Sequence, residues 1–200
     1  MNIEFRAVSK RFGDNKVLDH INISLPEGQP SCLMGPSGSG KTTIINILMG
    51  LLSIDSGEVI GLKNRRIAGV FQEDRLIEHW DAIKNIGLVC DKSVTKEQIK
   101  GELQQVGLEE ELDRYQDKPV SLFSGGMRRR VAIVRAVLAQ SEFVILDEPF
   151  KGLDDALKQQ VIDYVKQKTA GKTVLLVTHD KEEARQLGGK LILLQPSLFH

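Results

Sequence analysis

The chain has 200 residues, of which 41% are apolar, and its 27 Lys+Arg balance 27 Asp+Glu. That is enough to bury a core in one domain, and it excludes a disordered chain. A formal net charge of zero excludes a protein built mainly to coat nucleic acid, which needs a basic surface, so no nucleic-acid partner is expected.

Two cysteines, Cys32 and Cys90, are too few for a disulfide framework. A reducing cytoplasm is the expected compartment. Met1 to Arg6 is not followed by a long apolar stretch, so no leader peptide is expected. The longest apolar patch, Ile44 to Leu52, is broken by Asn46 and Gly50 and is too short to span a bilayer.

In chain order, Asn2 to Val8 alternates, with Ile3, Phe5 and Ala7 on one face. Ile21, Ile23 and Leu25 alternate in the same way, across a polar turn at Gly13 to Lys16. A small N-terminal antiparallel sheet is predicted. Ser31 to Met34 differs, being short and apolar on both faces, as a buried parallel strand is. Phe143 to Leu146 and Thr173 to Val177 share that character. Each is followed by a polar cluster and a helical pattern, at Thr42 to Leu51, Asp154 to Lys168 and Lys181 to Leu187. A last strand is expected at Lys190 to Leu194. This repetition predicts an α/β core with a mostly parallel sheet and ligands at the carboxyl ends of its strands. Residues 73–122 show no buried strand pattern. Lys96 to Val106 and Glu109 to Tyr115 are helix-like, so the segment reads as a helical lobe inserted into a core of residues 1–72 and 123–200.

Gly35-Pro36-Ser37-Gly38-Ser39-Gly40-Lys41-Thr42-Thr43 follows a buried strand and opens a helix. Its glycines let backbone N–H groups turn inward around phosphate oxygens, and the helix start adds free donors. Lys41 is expected to reach the β- and γ-phosphates of ATP, and the Thr42 hydroxyl to ligate Mg²⁺. Phe143 to Leu146 runs into Asp147-Glu148-Pro149. Taken alone, those carboxylates equally well end a strand. Beside a phosphate loop, Asp147 becomes a Mg²⁺ partner and Glu148 a base for the attacking water. Ser124-Gly125-Gly126-Met127 opens a helix with an apolar stripe at Met127, Val131, Val134 and Leu138. Ordinary capping by Ser124 and a second anion site are both open for it.

Together these residues make the chain resemble the nucleotide-binding domain of ATP-binding cassette (ABC) transporters over nearly its whole length. The Walker A loop is Gly35 to Thr43, the Q-loop Val70 to Asp74, and the signature Leu122 to Met127. Walker B is Phe143 to Asp147 with Glu148, the D-loop contains Gly152-Leu153-Asp154, and the H-loop is Thr178-His179-Asp180. The resemblance implies a P-loop NTPase core, an ATPase with Mg²⁺, and an ATP-dependent head-to-tail homodimer. In that dimer Ser124, Gly125 and Gly126 contact the partner's γ-phosphate. Phe12 takes the place of the aromatic that stacks on adenine. His179 holds the γ-phosphate, and Gln72 senses Mg²⁺ and the water. An integral-membrane permease is the implied partner, with a substrate-binding protein if transport is inward. The implied location is cytoplasmic, peripheral on the cytoplasmic face of the cell membrane. Gln72-Glu73-Asp74-Arg75-Leu76 with Asn85-Ile86 is similar to the nitrate, sulfonate and taurine importers; export of a lipid, peptide or drug is the competing direction. The alternative function is a non-transport ABC ATPase acting on a soluble assembly.

The sequence departs from the family in two places. Met127 stands where the signature usually has Gln, which puts one polar contact in doubt. Lys151-Gly152 stands where the D-loop often has Ser-Ala. Arg128-Arg129-Arg130 reads equally well as a solvated face, while Arg128, Arg130 and Arg135 match basic positions of the family, which implies a role near the nucleotide or the lobe interface. His79 and Trp80 read first as lobe packing, and second as a docking anchor for a permease helix.

Overall fold

The computed structural model describes residues 1–110 and 117–195. The helix expected at Glu109 to Tyr115 therefore lies mostly outside the described residues. Two sheets organise the chain. The first joins β1 (Ile3–Phe12), β2 (Asn15–Leu25) and β4 (Ser56–Ile60) in the antiparallel order β2-β1-β4. The second joins β3 (Pro30–Met34), β5 (Ile67–Val70), β6 (Phe143–Asp147), β7 (Thr173–Val177) and β8 (Lys190–Leu193), all parallel, in the order β5-β6-β7-β3-β8. The helices include α1 (Lys41–Leu48), α2 (Ala82–Gly87), α3 (Lys96–Gln105), α4 (Gly125–Leu138), α5 (Asp155–Lys168) and α6 (Lys181–Leu187).

The parallel strands are central because they are apolar on both faces. Every residue of β6 and β7 is buried. Alternate side chains then feed two separate cores. Val144, Leu146, Val174 and Leu176 join a core built from α2, α3, α4 and α5. Phe143, Ile145, Leu175 and Val177 join a core with α1 and the antiparallel sheet.

The first strand runs further than its alternation predicts, and Ala7 is not on its buried face. Ala7 takes φ 48° and is exposed, and the register with β2 shifts between Phe5 and Val8. This bulge hands the buried position to Val8. Gly57 of β4 lies against it, where a Cβ would sit 2.4 Å from the Ala7 carbonyl oxygen. Among the described residues from 71 to 142 there is no strand. There α2 starts on Asp81, which accepts from the Lys84 N–H at 2.7 Å, and α3 starts on a Thr95–Gln98 capping box. Among the described residues, no helix is long and apolar enough to cross a membrane.

Candidate nucleotide site

Strand order brings the motifs together. Asp147 of β6 lies opposite Val177 of β7, and Val177 lies opposite Leu33 of β3. The residues just past these three strands therefore share one edge of the sheet, where α/β proteins bind ligands.

After β3 the chain turns at Gly35, whose Cβ would fall 2.5 Å from the Leu194 carbonyl oxygen and 2.7 Å from Ser39 Oγ. Only glycine fits there. Gly38 and Gly40 take φ 79° and 95°. Gly40 also packs on Val17 and Leu18 of β2, so the antiparallel sheet braces the loop. The first turn of α1 has no side-chain cap and no acidic residue, which leaves its N–H groups open to an anion. Lys41 curls back over the loop and donates to the Gly35 and Pro36 carbonyls at 2.8 Å each. Pro36, Ser37, Gly38 and Thr42 are exposed, whereas Ser39 and Thr43 are buried. Of the two threonines, Thr42 is the more open to a ligand.

Asp147 is buried beneath this loop. Burial, and then the neighbouring Glu148 charge, push its carboxyl above the usual carboxylate range, while Lys41 and Arg129 pull it back. Glu148 sits in the left-handed region at φ 48°, roughly a 1–2 kcal/mol strain for a residue with a Cβ. Its N–H donates to the Val177 carbonyl at 2.9 Å, which ties the turn after β6 to the end of β7. Its Oε1 meets His179 Nδ1 at 2.9 Å. That hydrogen bond raises the imidazole pKa, although the ring is 73% exposed. Thr178 anchors the turn beneath His179. Its hydroxyl donates to the buried Glu183 at 2.5 Å and accepts from the Asp180 N–H at 3.0 Å.

The Ser124 expectation of capping holds. Ser124 Oγ accepts from the Met127 N–H at 3.3 Å. In return the Ser124 N–H donates to the Met127 thioether at 3.4 Å. Met127 thus fills the reciprocal arm of a capping box with sulfur, a weak acceptor. Gln72, Gly125, Gly126, Arg129 and Glu148 line one cavity of about 460 Å³. Phe12 is 50% exposed at the β1–β2 hairpin, with Lys10 Nζ 5.7 Å from its ring centre. Asp154 caps α5 by accepting from the Leu157 N–H at 3.0 Å. A larger cavity of about 580 Å³ lies between α6 and β8, lined by Cys32, Met34, Leu191 and Leu193 and away from this chemistry.

The arginine run is not a solvated face. Arg129 donates to the Phe71 and Gln72 carbonyls, and Arg130 to the Val106 and Gly107 carbonyls beyond α3. His79 and Trp80 stack edge-on at 6.3 Å between ring centres.

Residues 18–151 match the family described as ABC transporter. The chain belongs to that family. A Fe(3+) ions import ATP-binding protein, FbpC of Escherichia coli, is 36% identical over 96% of this chain. A spermidine/putrescine import ATP-binding protein, PotA of Haemophilus influenzae, is 37% identical over 96% of it. The chain spans 59% and 55% of the lengths of these relatives. The dimeric structure of MJ0796, a bacterial ABC transporter cassette, superposes with a TM-score of 0.82 at 29% identity, covering 96% of this chain and 94% of that one. A post-hydrolysis dimer of the same cassette, bound to ADP and Pi, gives 0.81 at 28% identity, covering 97% and 96%. The ABC cassette fold thus accounts for both sheets. What sequence reasoning missed in this cassette is the role of Arg129, and the partners of Arg135, on the loop after β5. Their partners are backbone carbonyls, which leave no mark in a sequence.

Proposed function

We propose that this cassette binds and hydrolyses ATP and drives import through a separate membrane permease, as a cytoplasmic subunit peripheral to the membrane. The observation that carries this reading is the shared sheet edge. There a cationic phosphate loop, a buried Asp147 and a Glu148–His179 pair stand on three adjacent parallel strands. In this reading the backbone of residues 35–43 and Lys41 hold the phosphates, and Phe12 stacks on adenine. Glu148 takes the proton of the attacking water, and His179 orients Glu148 and the γ-phosphate.

The donors suit Mg²⁺. Thr42, Asp147 and Gln72 offer hard oxygens, and a single carboxylate is enough for an ion that keeps waters and phosphate oxygens. Bound there, Mg²⁺ would neutralise charge on the β- and γ-phosphates. Two cassettes would close so that Ser124, Gly125 and Gly126 meet the partner's nucleotide. The dimeric relative supports this arrangement. Residues 73–122 would act as the lobe that carries this motion to the permease. For an importer, a substrate-binding protein would deliver the cargo.

Relatives named for Fe(3+) and spermidine/putrescine support import. For cargo, Gln72 to Leu76 favours the nitrate, sulfonate and taurine group. Asn85 has a local job and does not bear on cargo: it is fully buried, and its side chain binds Ile77 N–H and the Ile77 and Asp81 carbonyls at 2.8 to 3.1 Å. The test has two parts: Mg-ATPase assay of the purified chain, and membrane pull-down with the chain as bait. Phosphate release together with a co-purifying permease is the expected result. Release with only soluble partners would favour the non-transport reading, and no release would remove the ATPase.

A further inference from the structure

The segment between β5 and α2 is neither strand nor helix, apart from short turns. Its carbonyls must find donors elsewhere. Those of Phe71, Gln72, Asp74 and Arg75 find them on one helix. Arg129 Nη1 donates to the Phe71 carbonyl and Nη2 to the Gln72 carbonyl at 2.6 Å. Its Nε faces Asp74 Oδ1 at 3.1 Å, and both side chains are largely buried. Further along α4, Arg135 donates to the Arg75 carbonyl at 2.8 Å and the Asp74 carbonyl at 3.0 Å. Arg75 itself takes φ 48° and lays its guanidinium 4.2 Å from the Phe71 ring centre. Two guanidinium forks thus grip the backbone on both sides of Gln72, while the Gln72 side chain stays exposed.

A cation near the start of α4 opposes the helix dipole, so Arg129 does nothing for the helix there. Its three contacts are all to the loop. They cross from the helix that begins at Ser124 to the loop that holds Gln72.

We propose that Arg129, seated on Asp74, is the positioning residue of the Gln72 loop, making that loop and the Ser124 end of α4 move as one piece. This rests on the ATPase reading above. A partner's nucleotide pulling on Ser124-Gly125-Gly126 would then shift Gln72 against the chain's own site, with Arg129 as the link. Coupling through such a contact is physical only if the contact has energy of its own, which the charge-assisted pairs supply.

The test uses Arg129→Met, Arg129→Lys and Asp74→Asn in the full chain. Amide hydrogen exchange of residues 70–76 is measured first, without nucleotide, beside the emission of Trp80, the sole tryptophan. Steady-state ATPase follows. Exchange in the loop should rise about tenfold in Arg129→Met, with Trp80 emission shifted. Its kcat should fall about tenfold while KM for ATP stays within about twofold, because the Lys41 loop is untouched. Arg129→Lys should recover part of both. Unchanged loop exchange in a folded Arg129→Met variant overturns the proposal, as does an unchanged kcat. If Arg129→Met does not fold, Arg129→Lys and Asp74→Asn carry the same comparison. A parent chain without ATPase activity would sink the function reading, yet the exchange measurement would still decide the clamp.

Discussion

The two halves of the candidate site are held by different forces. Asp147, Glu148 and His179 stand at or just past the ends of paired strands, fixed by ladder register and by bonds such as Glu148 N–H to the Val177 carbonyl, and Lys41 is tied to the loop after β3 by the Gly35 and Pro36 carbonyls. Gln72 lies two residues past the edge strand β5, and Ser124 caps a helix outside the sheet. Their positions relative to each other rest on arginine side chains reaching backbone carbonyls. Register cannot change without breaking a whole sheet, whereas a side-chain clamp can loosen one contact at a time. The first half is therefore built to be preorganised, and the second to be moved. That division suits an enzyme whose chemistry is fixed in one chain but is triggered by closure on another.

Glu148→Gln should break the first half at its chemistry with the largest effect. Gln keeps the shape but cannot take a proton from water, so turnover should fall by about 10²–10⁴. ATP binding should persist, because residues 35–43, Thr42 and Asp147 are untouched. Loss of a carboxylate near the γ-phosphate also removes like-charge repulsion, so Mg-ATP should hold two variant chains together. Phosphate release beside size-exclusion chromatography checks both outcomes. Turnover at the parent rate would dismiss Glu148 as the base.

Lys41→Ala comes next. It removes the ammonium that the Gly35 and Pro36 carbonyls now hold over the loop. Hydrogen bonds to charged groups are worth about 1.5–3 kcal/mol, so ATP affinity should drop roughly 10- to 100-fold. Calorimetry with affinity unchanged would reject the phosphate-loop assignment.

The division also explains which parts could be read from the sequence. The buried strands and their loops were legible because contiguous apolar runs ending in Gly35 and Asp147 carry their own signal. β5 was not, since Ile67-Ala68-Gly69-Val70 is four residues long with a glycine inside. β4 fails similarly, as Ser56, Gly57 and Glu58 are exposed and show no alternation. The bulge at Ala7 could not be foreseen, because a positive φ at alanine has no composition cue. Strand order was also hidden, and with it the contact between Glu148 and His179, which are 31 residues apart in the chain.

A weaker effect is expected at the rim of the preorganised half. Phe12 is half exposed and sits on a hairpin, not a parallel strand. Phe12→Ala should weaken ATP by about 1 kcal/mol, the low end of base stacking on aromatics, with GTP weakened in parallel since each base has a π-face. Equal ATP affinity in variant and parent would reject Phe12 as the ring that stacks on adenine.

The smallest effect tests whether the Glu148–His179 pair belongs to the fixed half at all. The hydrogen bond to Glu148 is the largest cause of the raised His179 pKa and the Glu148 charge the next; burial opposes them, and the charges of Glu183 and Asp180 add less. Because the folded value lies above the ordinary 6.5, the protonated ring is favoured in the folded chain. The pair's contribution to stability is therefore complete below the ordinary imidazole pKa, and it disappears as pH rises through the raised folded value. It should be small, since the ring is mostly exposed and salt screens it. The measurement is an NMR titration of the His179 ring in the parent and in Glu148→Gln. The variant should titrate lower, closer to 6.5, because both of the largest causes of the shift come from Glu148. Added salt should narrow the gap between the two proteins. Identical titration curves would mean that His179 swings free of Glu148 in solution. The imidazole would then be placed only when nucleotide arrives, and would belong with Gln72 and Ser124 in the half that moves.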